Sequence, residues 1–333
     1  MTQPAQPTVD PGTIANAVQL ACRAPSLHNS QPWRWVAEGS ELQLFADPSR
    51  NVRSTDESGR ETLLSCGAVL DHLRVAMAAA GWATFVSRFP NPNNRLHLAS
   101  IDFGPMDFVT EGHRRRANAI LLRRTDRLPF AAPPDWETLE PHLRNVVNCE
   151  AARLDVIADE ARPKLAEASK LTEALRQYDS SYHAELEWWT AGFETTEGIP
   201  RSSLVSASEA DRVDVARRFP VTQNRDRRAG VDQDRSRILA LSTYDESRDS
   251  VLRCGERLSA VLLEATMAGM ATCPLTHITE DPESRQMVAE LIGQDATPQV
   301  LVRVGLAPSI DDVPPPTPRR PLEEVLEIRS SRD

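Results

Sequence analysis

The chain lacks the features that identify secreted, membrane-spanning or zinc-binding proteins. No C-x-x-C pair occurs, which favours reduced thiols over a disulfide framework or a zinc site. The first eleven residues contain no apolar segment, and no unbroken run of eighteen apolar residues exists. These absences predict a cytoplasmic protein without a signal peptide or a membrane partner. The five cysteines are odd in number and widely spaced: Cys22, Cys66, Cys149, Cys254 and Cys273.

Lysine is scarce, and positive charge is in deficit overall. Only two lysines are present, Lys164 and Lys170, so arginine supplies nearly all the positive charge. The formal net charge of −10 argues against a nucleic-acid partner, because such proteins need a basic face. It does not exclude a local pocket for one phosphate, which the planar fork of arginine suits well.

Several sequence motifs of common enzyme classes are missing. There is no G-x-G-x-x-G after a strand, no phosphate-binding G-x-x-x-x-G-K, no H-E-x-x-H and no G-x-S-x-G. His28 beside Ser26 or Ser30 suggests a nucleophile and base, but no acidic residue is evident to orient the imidazole. The sequence therefore predicts neither a catalytic triad nor a metal centre.

The most informative stretch covers residues 24–33, which read A-P-S-L-H-N-S-Q-P-W. Pro25 and Pro32 prevent a helix from continuing, so we predict a connection between a helix and a strand. A stiff connection whose tryptophans pack in the core is an alternative interpretation with no functional content. The polar side chains within the stretch are Ser26, His28, Asn29, Ser30 and Gln31.

Hydrophobic periodicity predicts alternating helices and strands along the rest of the chain. The segment 190–234 has no steady periodicity, and segments of this length in compact domains are usually lids or disordered. The predicted helices cover residues 11–23, 61–80, 111–124, 162–189 and 250–268, with a short helix before residue 153. The predicted strands cover residues 33–36, 41–46, 84–88, 95–103, 153–157 and 297–305.

An internal repeat links the two central helices. The first reads SCGAVLDHLRVAMAAAGWAT from Ser65, and the second reads RCGERLSAVLLEATMAGMAT from Arg253. They share a Cys-Gly pair and a closing Gly-x-Ala-Thr, and a strand with a terminal glycine follows each. Although two helices can share such features by chance, duplication explains the matching strands better. We therefore predict two homologous halves, residues 1–112 and 113–333.

Three segments carry a family resemblance. Residues 24–33 resemble the A-P-S-x-x-N-x-Q-P-W motif of the FMN-dependent nitroreductase fold. Residues 123–130 resemble its R-R-S-x-R-x-F motif, and residues 319–325 resemble its R-x-P-L-E-E-V ending. Together, APSLHNSQPWRW and RSTDESGRETLLSCGAVLDHL are similar to the mycobacterial Acg-type family of NAD(P)H nitroreductases. This resemblance implies an α+β, nitroreductase-like fold in which two fused halves form a pseudo-dimer around central helices and mixed or antiparallel sheets.

The distribution of these motifs predicts how many flavins bind. In the family, each FMN site combines the A-P-S loop of one subunit with the R-R-S segment and C-terminal arginine of the other. Here the first half keeps the A-P-S loop, and the second half keeps R-R-T-D-R and the C-terminal arginine. The second half has N-V-V-N-C-E at residues 145–150, where its own loop belongs. One complete set implies one FMN and a pseudo-dimeric monomer.

The resemblance also implies roles for individual residues. Arg123 and Arg319, with Arg320 as a further candidate, would bind the FMN phosphate, and Thr125 would donate a hydroxyl hydrogen bond. Arg127 matches the position that holds the pyrimidine edge of the flavin. The other implied cofactor residues are Ser26, His28, Asn29, Ser30, Gln31 and Pro32 of the loop, and Thr276 and His277 near the flavin N5.

Two functions are compatible with this reading. In the first, the protein transfers hydride from NAD(P)H through FMN to an electron-poor small molecule. In the second, it sequesters or stores FMN without turnover, beneath a lid formed by residues 190–234. Hydride transfer through a flavin needs no protein nucleophile, so the missing catalytic triad does not count against the first function.

Overall fold

The computed structural model describes residues 8–147, 151–191, 196–223, 225–293, 295–310 and 313–329. The helices are α1 (Pro11–Ala21), α2 (Arg60–Ala79), α3 (Glu111–Leu122), α4 (Trp136–Val147), α5 (Arg162–Arg176), α6 (Ser180–Thr190), α7 (Ala207–Asp211), α8 (Arg248–Met267), α9 (His277–Glu280), α10 (Pro282–Ile292) and α11 (Leu322–Val325). The strands are β1 (Trp33–Glu38), β2 (Glu41–Ala46), β3 (Trp82–Arg88), β4 (His97–Pro105), β5 (Arg153–Ile157), β6 (Arg237–Thr243), β7 (Ala271–Leu275), β8 (Thr297–Gly305) and β9 (Leu326–Arg329). The predicted α+β class is confirmed.

The strands form two sheets with the same internal order. The first sheet runs β3-β4-β2-β1-β9 and the second runs β7-β8-β6-β5. In each sheet, two strands precede the long helix and two follow it, and all four pair antiparallel. The repeated order is what a duplication predicts.

The last strand crosses between the two predicted halves. β9 pairs parallel to β1, with Trp35 opposite Leu326 and Glu38 opposite Arg329. The first sheet therefore contains residues from both ends of the chain. This pairing ties the C-terminal arginine segment, which directly precedes β9, to the strand that follows the A-P-S loop.

Helices α2 and α8 cross at the glycines of the repeated Cys-Gly pair. A Cβ atom added to Gly67 would lie 2.9 Å from the Glu256 amide nitrogen and closer still to the Leu252 carbonyl. One added to Gly255 would overlap the Leu64 carbonyl in the same way. Because real Cβ atoms do not approach backbone so closely, only glycine permits this crossing. The shared glycines thus mark the point where the repeats meet.

The Asp71 and Ser259 side chains meet across the same crossing, four residues beyond each glycine. The Ser259 hydroxyl donates to Asp71 Oδ2 at 2.6 Å and lies 2.8 Å from His72 Nδ1. Equivalent positions of the two repeats therefore touch, as expected where two copies of one helix pack about a local two-fold axis.

Helix α2 has the length and mean hydropathy of a membrane span, and it is the one such helix in the described ranges. The search for an unbroken apolar run missed this helix, because its apolar window is interrupted by polar and charged residues. In the structure, 78% of its apolar window is buried, as in the core helix of a folded domain.

The second half differs from the predictions in three ways. The helix predicted over residues 162–189 is divided into α5 and α6, because Asp179 leaves the helical conformation (φ −81°, ψ 91°) and accepts a hydrogen bond from Tyr182 N at 3.0 Å. Strand β6, which is buried in the second sheet, was not predicted, and neither were β7, α10 and β9. The segment 190–234 is also not structureless, since it contains helix α7 and a 3-10 turn at Arg201–Ser203.

We predict that Gly255→Ala strongly destabilises the protein. The new methyl group would force α8 away from the Leu64 carbonyl, and overpacking of this kind costs about 1–3 kcal/mol or more. Chemical denaturation should show a lower midpoint. Gly112→Ala is the matched control, because this α3 glycine has only an ordinary contact to Thr110 Oγ1 at 3.5 Å. Equal stability of the two variants would contradict the close crossing.

Candidate functional site

A cavity of about 440 Å³ lies where both predicted halves contribute residues. Its volume falls within the range of small-molecule sites. The first half supplies Ser26 and His28 from the A-P-S loop, with Glu61, Leu64 and Ser65 from the start of α2. The second half supplies Thr125, Arg127, residues 273–277 at the end of β7, and much of the segment 205–221.

The A-P-S loop holds three non-glycine residues in the left-handed region. The φ angles of His28, Asn29 and Gln31 are 50°, 59° and 52°. Such residues are strained and concentrate at functional sites. The backbone N–H of Gln31 donates a hydrogen bond to Ser26 Oγ at 3.0 Å, which helps to fix the turn.

Side chains of the loop bind backbone of the second half. Asn29 Nδ2 donates to the carbonyl oxygens of Gly198 at 3.0 Å and Pro318 at 3.2 Å. Gln31 Nε2 donates to the Thr196 carbonyl at 2.9 Å, and its Oε1 accepts from the Arg320 amide at 2.9 Å. The loop is therefore joined to the predicted lid and to the C-terminal segment at once.

Arginines without acidic partners surround a small pocket that adjoins the cavity. Arg23, Arg123, Arg124 and Arg319 all line it, with Ser26 and Thr125 shared between the two spaces. No carboxylate of the described ranges pairs with any of the four guanidinium groups. Arg319 Nε donates instead to the Cys22 carbonyl at 2.9 Å, and its Nη2 donates to the Arg23 carbonyl at 3.0 Å.

The charges in this cluster are poorly compensated. Burial and the nearby arginines lower the pKa of Arg123 to about 10 and that of Arg319 to about 9. Arg123 is 6% exposed, and its Nε and Nη1 have no acceptor among the described residues. An anion with several oxygens would satisfy these donors and relieve the repulsion, so the chemistry of the pocket suits a phosphate group.

His28 and Arg127 meet the same aromatic ring at the cavity wall. The His28 ring lies edge-on to Phe219 at 5.8 Å, and the Arg127 guanidinium lies 4.9 Å from the Phe219 ring centre. Burial, then Arg217 and Arg127, hold the pKa of His28 well below its usual value. His28 Nε2 is buried without a partner in the described structure. A neutral imidazole at the cavity wall thus has an unused hydrogen-bonding atom.

Hydrogen bonds of His277 and Thr276 fix the turn that follows β7. His277 is buried, and its Nε2 lies 2.8 Å from the Ser169 hydroxyl, while burial lowers its pKa. Thr276 Oγ1 donates to Glu280 Oε1 at 2.7 Å, and Glu280 also pairs with Arg217. His277 is therefore buried in the protein. The turn at Thr276 and His277, predicted to lie near the flavin N5, borders the cavity.

Nine of the thirteen predicted residues line the cavity or the arginine pocket, and four do not. The Arg320 guanidinium pairs with Glu324 at 3.3 Å and Asp47 at 3.7 Å, so it is directed elsewhere. The residues that do line the two spaces are Ser26, His28, Asn29, Arg123, Thr125, Arg127, Thr276, His277 and Arg319.

The three remaining residues support the loop from behind. Gln31 makes the contacts given above, and Pro32 accepts from the Asp47 amide at 3.0 Å. The Ser30 carbonyl accepts from Arg50 Nε at 2.5 Å. The resemblance implied that all of these residues bind the cofactor. Consecutive residues of a tight loop point in different directions, however, so they cannot all face one cavity.

Among the residues that line these two spaces but were not predicted as site residues, five carry charge or an aromatic ring that bears on the site: Arg23, Glu61, Arg124, Arg217 and Phe219. Arg23 and Arg124 directly flank the recognised motifs, so their position was a usable signal. Glu61 is buried in the cavity wall, where desolvation raises its pKa although it pairs with Arg60. Arg217 and Phe219 lie in the segment 190–234, which was predicted as a lid that includes Phe219, but no pattern predicted their contacts with the site residues.

The first-half residue that corresponds to Thr276 in the repeat has a different chemistry. The repeat alignment places Arg88 there, 188 residues earlier, and its Nε donates to Glu256 Oε1 at 2.7 Å. An ion pair therefore occupies the place where a second site would need a small hydroxyl. Residues 148–150, part of the segment that replaces the second A-P-S loop, lie outside the described residues.

Comparison with known proteins gives full-length relatives. The acg protein of Mycobacterium tuberculosis, named as a candidate NAD(P)H nitroreductase, is 68% identical over 317 residues, covering 95% of this chain and 96% of that protein. Rv3131 of the same organism, named likewise, is 37% identical over 330 residues, covering 96% and 92%. No family model matches the chain.

Among solved structures, the FMN-dependent nitroreductase NfnB of Mycobacterium smegmatis, in complex with NADPH, matches with a TM-score of 0.40 and 14% identity. That match covers 64% of this chain and 97% of NfnB. The family assignment depends on these two relatives, which match nearly the whole of this chain and of their own length, and not on the solved structure. The chain belongs to the Acg-type family of NAD(P)H nitroreductases.

Proposed function

We propose that the protein is an NAD(P)H-dependent oxidoreductase that holds one FMN across its two halves and passes hydride to an electron-poor small molecule. The observation that carries this proposal is the arginine cluster without acidic partners, which adjoins a cavity large enough for a ring system. The A-P-S loop closes that cavity from the other half. The names of the relatives agree with this chemistry.

The side chains divide into a phosphate set and a ring set. Arg123, Arg124 and Arg319 would hold the phosphate, with Arg123 offering its two unpaired donors. His28 and Thr276 border the larger space, where the flavin ring would lie. When bound, FMN supplies hydride transfer between NAD(P)H and the acceptor. The chain itself supplies positive charge at Arg127, fixed hydrogen-bonding groups and apolar walls that exclude water.

Sequestration of FMN without turnover remains the second candidate. It is favoured by the segment 205–221, because Phe219 lies against both His28 and Arg127 and Arg217 is paired with Glu280. A segment held in this way would restrict the approach of nicotinamide. Both candidates use the same flavin site, so they differ in the rate of reduction and not in the cofactor.

Purified protein should contain FMN at about one equivalent per chain. One set of site residues is assembled, and the repeated position carries the Arg88–Glu256 pair instead. Absorbance of the released flavin, measured against protein concentration, tests this. Two flavins per chain, or none after reconstitution, would contradict the proposal.

Arg123→Met should weaken FMN binding about 10- to 150-fold, because a hydrogen bond to a charged group contributes roughly 1.5–3 kcal/mol. Methionine keeps much of the side-chain volume while removing the charge. The flavin-free variant should be at least as heat-stable as the parent, since the lost charge is buried beside other arginines. Titration calorimetry measures the first effect and thermal unfolding measures the second.

Arg114→Met is the control for this change. Arg114 lies on α3, the helix that ends just before Arg123. Its side chain is exposed, and among the described residues its acidic partner is Glu111 at 3.9 Å. It should leave FMN affinity unchanged. If both variants retain FMN equally, Arg123 is not a phosphate ligand.

Phe219→Ala should accelerate anaerobic reduction of the bound flavin by NAD(P)H if the segment 205–221 restricts access. The change removes the ring that contacts His28 and Arg127 while keeping the Arg217–Glu280 pair. Stopped-flow absorbance measures the rate, and Tyr244→Ala serves as an exposed aromatic control outside the cavity. An unchanged rate with FMN still bound would mean that this segment is not a lid.

A further inference from the structure

A second cavity, of about 390 Å³, borders the arginine pocket. Arg123 and Arg124 line both the arginine pocket and this cavity, while Thr125 and Arg127 line these two spaces and the first cavity as well, so all three spaces adjoin. Nothing in the proposed binding of FMN uses the second cavity. A ligand that fills the first cavity and the arginine pocket would have room to continue beyond its phosphate.

The walls of the second cavity suit a flat, partly apolar group. Its apolar lining comes from the end of α3, the start of β7 and the chain after β8. These residues include Leu122, Met270, Ala271, Ala307, Pro308 and Pro315. Aliphatic and proline surfaces of this kind accept the face of a nucleobase by burying apolar area.

The same cavity contains buried donors without acceptors. Arg228 is 6% exposed and pairs with Asp126, but its Nε has no partner among the described residues. Arg123, which lines this cavity and the arginine pocket, has two further nitrogens without a partner among the described residues, Nε and Nη1. Buried donors of this kind are costly when unsatisfied, and they point to an oxygen-rich ligand at the junction.

The charge of the cluster also exceeds the need of one phosphate. A monoester carries at most two negative charges, whereas Arg23, Arg123, Arg124 and Arg319 provide four positive ones without described acidic partners. A second phosphate next to the first would extend the same set of charge-assisted hydrogen bonds. Arg123 and Arg124 line both the arginine pocket and the second cavity, so they would contact a second phosphate as well as the first.

From this arrangement we infer that the site accepts a dinucleotide flavin. In FAD the ring and first phosphate would bind as proposed for FMN, the second phosphate would meet Arg123 and Arg124, and the adenosine would enter the second cavity. The inference rests on the proposed function, because it uses the same flavin ring and phosphate positions. It adds a second nucleotide-binding space and a broader cofactor range.

The test compares FMN and FAD on flavin-free full-length protein by calorimetry, with and without Ala307→Trp. The parent should bind FAD within about tenfold of FMN. The tryptophan should fill the second cavity, weakening FAD at least about tenfold while leaving FMN affinity unchanged. Ala132→Trp, at an exposed position lining neither cavity, should alter neither affinity.

Three results would overturn the inference: FAD binding more than about tenfold weaker than FMN in the parent, an effect of Ala307→Trp on FAD smaller than about tenfold, or equal loss of both flavins. Each of these leaves FMN binding by the parent intact, so the proposed function would stand. If the parent binds neither flavin, the proposed function itself fails. Thermal unfolding of Ala307→Trp without ligand checks that the variant is folded.

Discussion

The contact on which the rest of the structure depends is the crossing of α2 and α8 at Gly67 and Gly255. Because neither glycine has room for a Cβ atom, the two backbones touch and their relative position is fixed. Each helix carries its own sheet, so the crossing also fixes how the sheets face one another. The start of α2 and the end of β7 consequently meet at one cavity, and the A-P-S loop can reach the second half.

The phosphate pocket shows the opposite kind of constraint. Four arginines lie together without described acidic partners, and burial lowers the pKa of Arg123 and Arg319. The folded protein tolerates this repulsion because backbone carbonyls at residues 22–24 accept hydrogen bonds from the cluster. A site that is destabilised when empty gains more from binding an anion, which links flavin affinity to folding stability.

The two halves have kept one topology and different chemistry. Asp71 and Ser259 occupy equivalent positions and bond to one another, which identical subunits could not do in this form. Likewise Arg88 stands where the other half has Thr276, and Glu256 compensates its charge. Fusion allows each repeat to change separately, so one side can keep a ligand site while the other becomes an ion pair.

The sequence by itself determined the α+β class, the longer helices, six of the nine strands in the described residues, the duplicated helices and a site in which nine of the thirteen predicted residues line the cavity or the arginine pocket. Periodicity, caps and short motifs are local signals, so they are readable without the tertiary structure. The sequence did not determine the break at Asp179, the buried strand β6, or which loop residues face the cavity. Gln31 and Arg320 were grouped with the ligands, yet they bond to each other behind the loop. Phe219 was predicted only as part of the lid segment 190–234, and Arg217 was not predicted as a site residue. Their roles arise from contacts between segments far apart in the chain, and only the tertiary structure decides such contacts.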